Sequence, residues 1–136
     1  TALRKSMPRG AARTTAMDKL FGDMVREASR MGNSWREHED ALRSDDAGQQ
    51  LAAIAYSFAS PEASNISSLI DAVENAKQPF VQYWGLRAIQ RGLDADSEFS
   101  LKDMGRLENL TSAFGSGTDR FLIVSSIVRA LRKKRT

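Results

Sequence analysis

The chain has 136 residues, of which 41% are hydrophobic and 27% are charged, a balance typical of an ordinary soluble domain and not of a disordered chain. This length buries a core without a metal or a disulfide, and the absence of cysteine excludes disulfides, thiolate nucleophiles and cysteine-ligated zinc. The net charge of +3 conceals a segregation. Residues 18–119 hold all seventeen carboxylates and are formally −7, whereas residues 1–17 and 120–136 hold ten basic residues and no acid.

The amino-terminal segment, residues 1–14, lacks helical periodicity and is predicted to be a flexible basic arm. An arginine-containing, acid-free segment is also typical of organelle-targeting sequences, and that alternative stays open. The longest unbroken apolar run, residues 51–56, is far shorter than the roughly 18 residues of a membrane span, and no signal-peptide core lies near the amino end. We therefore predict a cytoplasmic protein without a transmembrane segment.

The first predicted helix begins at Thr15, because apolar residues then recur at three-to-four spacing as far as Met31. Its buried stripe includes Met17 and Phe21, and Gly32 offers a stop. In residues 34–59 two helices are favoured over one bent helix. A capping box opens the first at residue 34, the aspartates at 45–46 form a turn and a fresh cap, and Ser60-Pro61 ends the second.

Two similar units follow, each an amphipathic first helix, a turn with Pro or Gly, and a more apolar second helix. The first unit is capped at Ser64 or Asn65, and Pro79 suits the first turn of its second helix. The second unit opens with the capping pair at residues 100 and 103, and its second helix is capped by residue 118 or 119. Ser64 and Ser100, at the starts of the two units, are 36 residues apart, and Phe80 and Phe121, near the starts of their second helices, are 41 residues apart.

The stretches PFVQYWGLRAIQRGL (residues 79–93) and RFLIVSSIVRAL (residues 120–131) resemble the second helices of HEAT or armadillo repeats, whose helix pairs recur with a period near 40. The resemblance covers at most residues 34–131. It implies a curved stack that holds a protein or nucleic acid on one face. Asp119 and Arg87 stand where the family places a turn Asp and a second-helix Arg, although each occurs in one unit only.

A compact bundle explains the same periodicities. We therefore predict an all-α fold of about seven helices in antiparallel pairs, either a HEAT-like right-handed stack or a compact helical bundle. Residues 15–132 form the single domain, and residues 133–136 form a basic tail.

Catalytic chemistry is not indicated by any motif. His38 is the only histidine and stands among carboxylates, which is typical of a surface histidine, and a zinc-protease motif would need a second one. The acidic run 37–46 lacks the ligand spacing of a calcium loop, so it is interpreted as a solvated face. The glycine pair at 115 and 117 lacks the lysine of a P-loop. We predict no catalytic residue, metal site or cofactor.

Two surfaces are predicted to bind. On the second helix of the first unit, Tyr83 and Trp84 point about 100° apart. Core packing of both is the simpler interpretation, but either one at the surface would anchor a protein interface, together with Arg87 and Arg91. The basic ends would instead contact an anionic surface. Their residues are Arg4, Lys5, Arg9, Arg13, Arg129, Arg132, Lys133, Lys134 and Arg135.

The leading hypothesis is a non-catalytic interaction or adaptor module whose partner is another protein. The alternative is a helical protein that uses its basic ends to contact nucleic acid or another anionic surface, without base-specific contacts because no groove-reading motif is present. An enzyme is the least favoured hypothesis. A homodimer is left open.

Overall fold

Seven helices are present in the computed structural model, which describes residues 11–31, 38–61, 65–95 and 100–135. They are α1 (Ala11–Met31), α2 (His38–Leu42), α3 (Ala47–Ala59), α4 (Ile66–Asn75), α5 (Pro79–Asp94), α6 (Leu101–Ala113) and α7 (Asp119–Arg135). The described ranges contain no strand. The predicted all-α fold with about seven helices is confirmed.

Polar side chains begin the helices at predicted positions. Each accepts a backbone N–H three residues further on, at 3.0–3.1 Å: Asp46 for α3, Asn65 for α4, Ser100 for α6 and Thr118 for α7. At α6 the capping box is reciprocal, because the Asp103 carboxylate also accepts the Ser100 N–H. Pro79 is the first residue of α5, a position whose N–H would have no acceptor within the helix, so the N–H that proline lacks costs nothing there.

The outer boundaries differ from the prediction. Helix α1 begins at Ala11, so the predicted start at Thr15 is too late and residues 11–14 of the predicted arm are helical. Helix α7 continues to Arg135, so residues 133–135 of the predicted tail are helical as well. Alanine, lysine and arginine have high helix propensity, and cations stabilise the carboxyl end of a helix, which explains both extensions. The capping box predicted at residue 34 lies outside the described residues.

Helices α2–α7 form two layers of consecutive pairs. Each pair, α2 with α3, α4 with α5 and α6 with α7, packs tightly together. The first helices of the pairs, α2, α4 and α6, also contact one another in order, and so do the second helices, α3, α5 and α7. We call these the first-helix layer and the second-helix layer. Helix α5 lies against α3, α4 and α7, so this apolar helix has a central position among the described helices.

The core lies between the layers. Its largest fully buried side chains come from both layers and from α1: Phe21, Leu42, Ile54, Leu69, Ile70, Val73, Leu86, Ile89, Leu107, Val124 and Leu131. The predicted stripe of α1 is confirmed at Met17, Phe21 and Ala28, which are buried where α1 packs on α3. No helix among the described residues combines the length and the hydropathy of a membrane span.

Candidate protein-binding surface

Charge is divided unequally between the two layers. The helices of the first-helix layer contain six carboxylates and two basic residues, a formal charge of −4. Those of the second-helix layer contain eight basic residues and two carboxylates, a formal charge of +6, and α3 contributes no charged residue at all. The acidic middle of the sequence and its basic carboxyl end therefore become two sides of the molecule, so the second-helix layer attracts anions.

Two parallel stripes of side chains mark the outer side of the second-helix layer. Residues at i, i+4, i+7 and i+11 lie along one face of a helix. On α5 these are Tyr83, Arg87, Gln90 and Asp94, and on α7, 39 residues later, they are Leu122, Ser126, Arg129 and Lys133. All four on α7 are exposed; on α5, Arg87 and Asp94 are exposed and the other two are half-buried. We call Tyr83, Arg87, Leu122, Arg129 and Lys133 the α5/α7 face.

A polar contact at the amino ends of α5 and α7 sets the register of these stripes. The Arg120 Nη1 donates to Gln82 Oε1 at 2.6 Å, and its guanidinium lies over the Phe114 ring, 5.0 Å from the centroid. Because both polar partners belong to the first turns, the amino ends of α5 and α7 lie side by side. Tyr83 and Leu122 therefore occupy the same end of the face.

The cations of the second-helix layer differ in how they are engaged. Arg132 pairs with Glu108 of α6 at 2.9 Å, and Arg91 donates from Nε to the Phe58 carbonyl at 2.6 Å while its guanidinium lies 4.7 Å from the Phe58 ring centroid. For Arg87 and Arg129 the described part of the chain supplies no carboxylate within 4.0 Å and no hydrogen bond. These two guanidinium groups keep their donors available to a ligand.

Trp84 has a different place from its neighbour Tyr83. Its ring stacks on Phe21 of α1, with centroids 4.1 Å apart and planes 16° from parallel, and it contacts Phe58 edge-on at 5.9 Å. The indole Nε1 is buried and has no hydrogen-bond partner among the described residues. Of the adjacent aromatic pair, Trp84 thus holds α1 against the second-helix layer, and Tyr83 is the one that borders the open face.

The residues of the basic ends do not form one described cluster. Arg4, Lys5 and Arg9 lie outside the described residues. Arg13, Lys134 and Arg135 lie in helices, but their side chains are outside the described part. The structure places Arg129 and Lys133 on the same exposed stripe of α7 and turns Arg132 toward α6.

The first-helix layer uses its charges internally. Arg106 of α6 makes a two-pronged contact with Glu74 of α4, Nη2 to Oε1 at 2.6 Å and Nε to Oε2 at 3.3 Å, and also donates to Asp71. The hydrogen bond to Glu74 is the largest cause that raises the pKa of the Arg106 guanidinium, and the one to Asp71 acts in the same direction. Arg43, in the turn that follows α2, extends the chain of contacts, since its Nε lies 3.8 Å from Asp71. Sequence reasoning missed this network.

Two of the three motifs weighed for chemistry, His38 and the acidic run, make contacts within the fold. The His38 ring lies against Tyr56 of α3, with ring centroids 4.8 Å apart. Within the acidic run, Glu39 accepts from Ser68 at 3.0 Å and Asp46 caps α3. Among the described residues, no group of three His, Asp or Glu side chains is arranged to hold a metal ion.

Comparison of the chain with models of protein families, with curated proteins and with solved structures finds no significant match.

Proposed function

We propose that this chain is a non-catalytic protein-interaction module in which stacked helix pairs present the α5/α7 face to a partner protein. The supporting observation is the combination of an exposed apolar side chain, Leu122, with two arginines that have no ion pair or hydrogen bond within the described part of the chain. Leu122 is 61% exposed, and Arg87 and Arg129 have no ion pair within the described residues. An apolar anchor surrounded by charge is the common composition of a protein interface.

The order of the helix contacts supports a repeat arrangement within this proposal. First helices contact first helices and second helices contact second helices, which is how HEAT-like pairs stack and how such proteins form extended binding faces. The burial pattern of α5 recurs in α7 after 39 residues, near the period of that family. The cytoplasmic location and the homodimer stay predictions.

A second candidate, binding to nucleic acid, is favoured by the +6 charge of the second-helix layer. Phosphate contacts of this kind would be independent of sequence, and their affinity would fall steeply as salt rises. The exposed Leu122 favours a protein partner, because a phosphate backbone offers no apolar group to contact it.

The proposal is tested by capture of partners on the immobilised full chain and on two charge variants, Arg87→Glu/Arg129→Glu on the face and Lys77→Glu/Lys102→Glu away from it. Both variants reverse two exposed cations, so they change the net charge equally. We expect at least one protein that binds stoichiometrically in purified form and is lost with the Arg87→Glu/Arg129→Glu variant only. Identical capture by all three chains would contradict a defined interaction surface.

A further inference from the structure

We propose that the α5/α7 face docks an acidic segment of the partner protein, in which an apolar side chain contacts Leu122 and carboxylates contact Arg87 and Arg129. This inference rests on the proposed function and specifies the chemistry of its partner. It follows from the order of side chains along the two stripes, from the charge on those stripes, and from the absence of ion pairs and hydrogen bonds for Arg87 and Arg129 within the described residues.

The chemistry of the exposed cations indicates which anion the α5/α7 face binds. Arg87 and Arg129 each present a planar guanidinium, which matches the two oxygens of a carboxylate or phosphate. Both side chains are exposed, and Lys133 continues the same stripe one turn beyond Arg129. Along the two stripes three cations, Arg87, Arg129 and Lys133, outnumber the single carboxylate, Asp94, so the complementary ligand is anionic.

The exposed Leu122 favours a carboxylate-bearing polypeptide over a nucleic acid. Leu122 is one of two large hydrophobic side chains that are strongly exposed in the described part of the chain, and it precedes the cations on the same stripe of α7. A phosphate backbone gives no apolar group to such a position. A polypeptide segment can supply an apolar side chain there, because acidic and apolar residues can stand close together in one sequence.

The distances between side chains along α7 define the spacing that apolar and acidic residues of the partner must match. A rise of 1.5 Å per residue places Arg129 about 10 Å, and Lys133 about 16 Å, along α7 from Leu122. A helical partner meets this spacing with a leucine or similar residue followed by acids about seven and eleven residues away. Tyr83 lies at the Leu122 end of the face, so the apolar contact belongs at that end for both helices.

The direct test measures binding of the full chain to a fluorescent glutamate-rich helical peptide with leucines on one face. The same peptide with alanine in place of leucine, and a duplex oligonucleotide of similar length, serve as comparison probes. We expect the Arg87→Glu/Arg129→Glu variant to bind the leucine peptide at least about tenfold more weakly, because attraction becomes repulsion at two positions. The matched Lys77→Glu/Lys102→Glu variant should stay within about twofold of the parent, since neither lysine lies on the face.

The Leu122→Ala variant separates the two kinds of ligand. It should weaken binding of the leucine peptide severalfold and leave binding of the alanine peptide and the oligonucleotide unchanged. The inference is overturned if the leucine peptide does not bind, if both charge variants lose binding equally, or if the oligonucleotide binds more tightly and Leu122→Ala has no effect. Capture of a protein that the Arg87→Glu/Arg129→Glu variant no longer binds, together with no binding of the leucine peptide, would retain the proposed function and reject this inference. Thermal melts confirm that each variant is folded.

Discussion

Val73 of α4 lies directly against Gly85 of α5, so close that a methyl group added at Gly85 would stand 2.6 Å from the Val73 Cγ2 atom. Ile54 of α3 lies on the same side at 3.7 Å. Gly85 is therefore the point at which α5 approaches both the first-helix layer and its neighbour in its own layer. The absence of a side chain is a packing requirement here.

The Gly85→Ala variant should lose about 1–3 kcal/mol of unfolding free energy, because an overpacked core must shift to accept the methyl group. Gly105→Ala on α6 is the matched control, since a Cβ there has no neighbour within 4 Å and glycine is a poor helix former. That control should gain up to about 1 kcal/mol. Urea denaturation measures both, and a loss of equal size in the two variants would contradict the packing explanation.

The contact between Phe21 and Trp84 predicts that α1 depends on one aromatic side chain. Phe21 is 1% exposed, so Phe21→Ala should cost about 3–5 kcal/mol and leave Trp84 accessible to solvent. In a Trp35→Phe background, Trp84 fluorescence should shift to the red and become easier to quench. Leu122→Ala, at an exposed position, should change stability by less than about 0.5 kcal/mol. Unchanged fluorescence in the Phe21 variant would show that α1 is held elsewhere.

Arg106 connects α6 to α4, so its removal should lower the free energy of unfolding by weakening the contact between these two helices. Arg106→Ala leaves the Asp71 and Glu74 carboxylates without their guanidinium, which should cost about 1–3 kcal/mol. Arg106→Lys should recover part of that loss, because an ammonium keeps the charge but not the two-pronged geometry. Arg132→Ala removes one exposed ion pair and should cost at most about 1 kcal/mol. A similar shift of the urea midpoint for Arg106→Ala and Arg132→Ala would refute a special role for the network.

Replacement of the buried Gln50 by glutamate adds a titrating group to the core, so the stability of the variant relative to the parent chain should depend on pH. Its buried side-chain amide donates to the Leu42 carbonyl at 3.2 Å and to the Ala72 carbonyl at 3.0 Å. In Gln50→Glu an ionised carboxylate would face those same oxygens, so folding should raise the pKa of the new carboxyl above its unfolded value of about 4.3.

The sign follows from proton linkage. Below about pH 4 the new carboxyl is protonated in both states, and the variant should approach the parent in stability. As the pH rises toward 7 the unfolded chain releases its proton first, so the deficit should widen. Chemical denaturation of both chains between these pH values measures the difference. A deficit independent of pH would indicate that the carboxylate escapes to solvent.

Local signals in the sequence were sufficient to predict much of the fold. Asp46, Ser100 and Thr118 cap their helices because a side-chain oxygen near the start of an apolar periodic stretch has a nearby N–H to accept. The stripe of Met17 and Phe21 likewise follows from spacing alone. The start of α1 at Ala11 was missed because the alanines before Thr15 carry propensity but no pattern.

The surface was harder to predict because it depends on which helices become neighbours. The 39-residue offset between Tyr83 and Leu122 is present in the sequence, but it defines a common face only when the contact of Gln82 with Arg120 fixes the register. Nor did any local rule bring Arg106 to Glu74, since 32 residues separate them. The predicted role of Trp84 depended on which side of α5 is covered by α1, a relationship between distant segments.

The order of the helix contacts has a consequence for how the chain acquires its structure. Apart from the reach of Phe21 to Trp84, the main interfaces join helices that are adjacent or next but one in the chain. Such short separations favour rapid folding, and a ribosome releases the chain from its amino end. From α3 onwards, each newly emerged helix therefore meets at least one of its neighbours already in place, which favours assembly during translation.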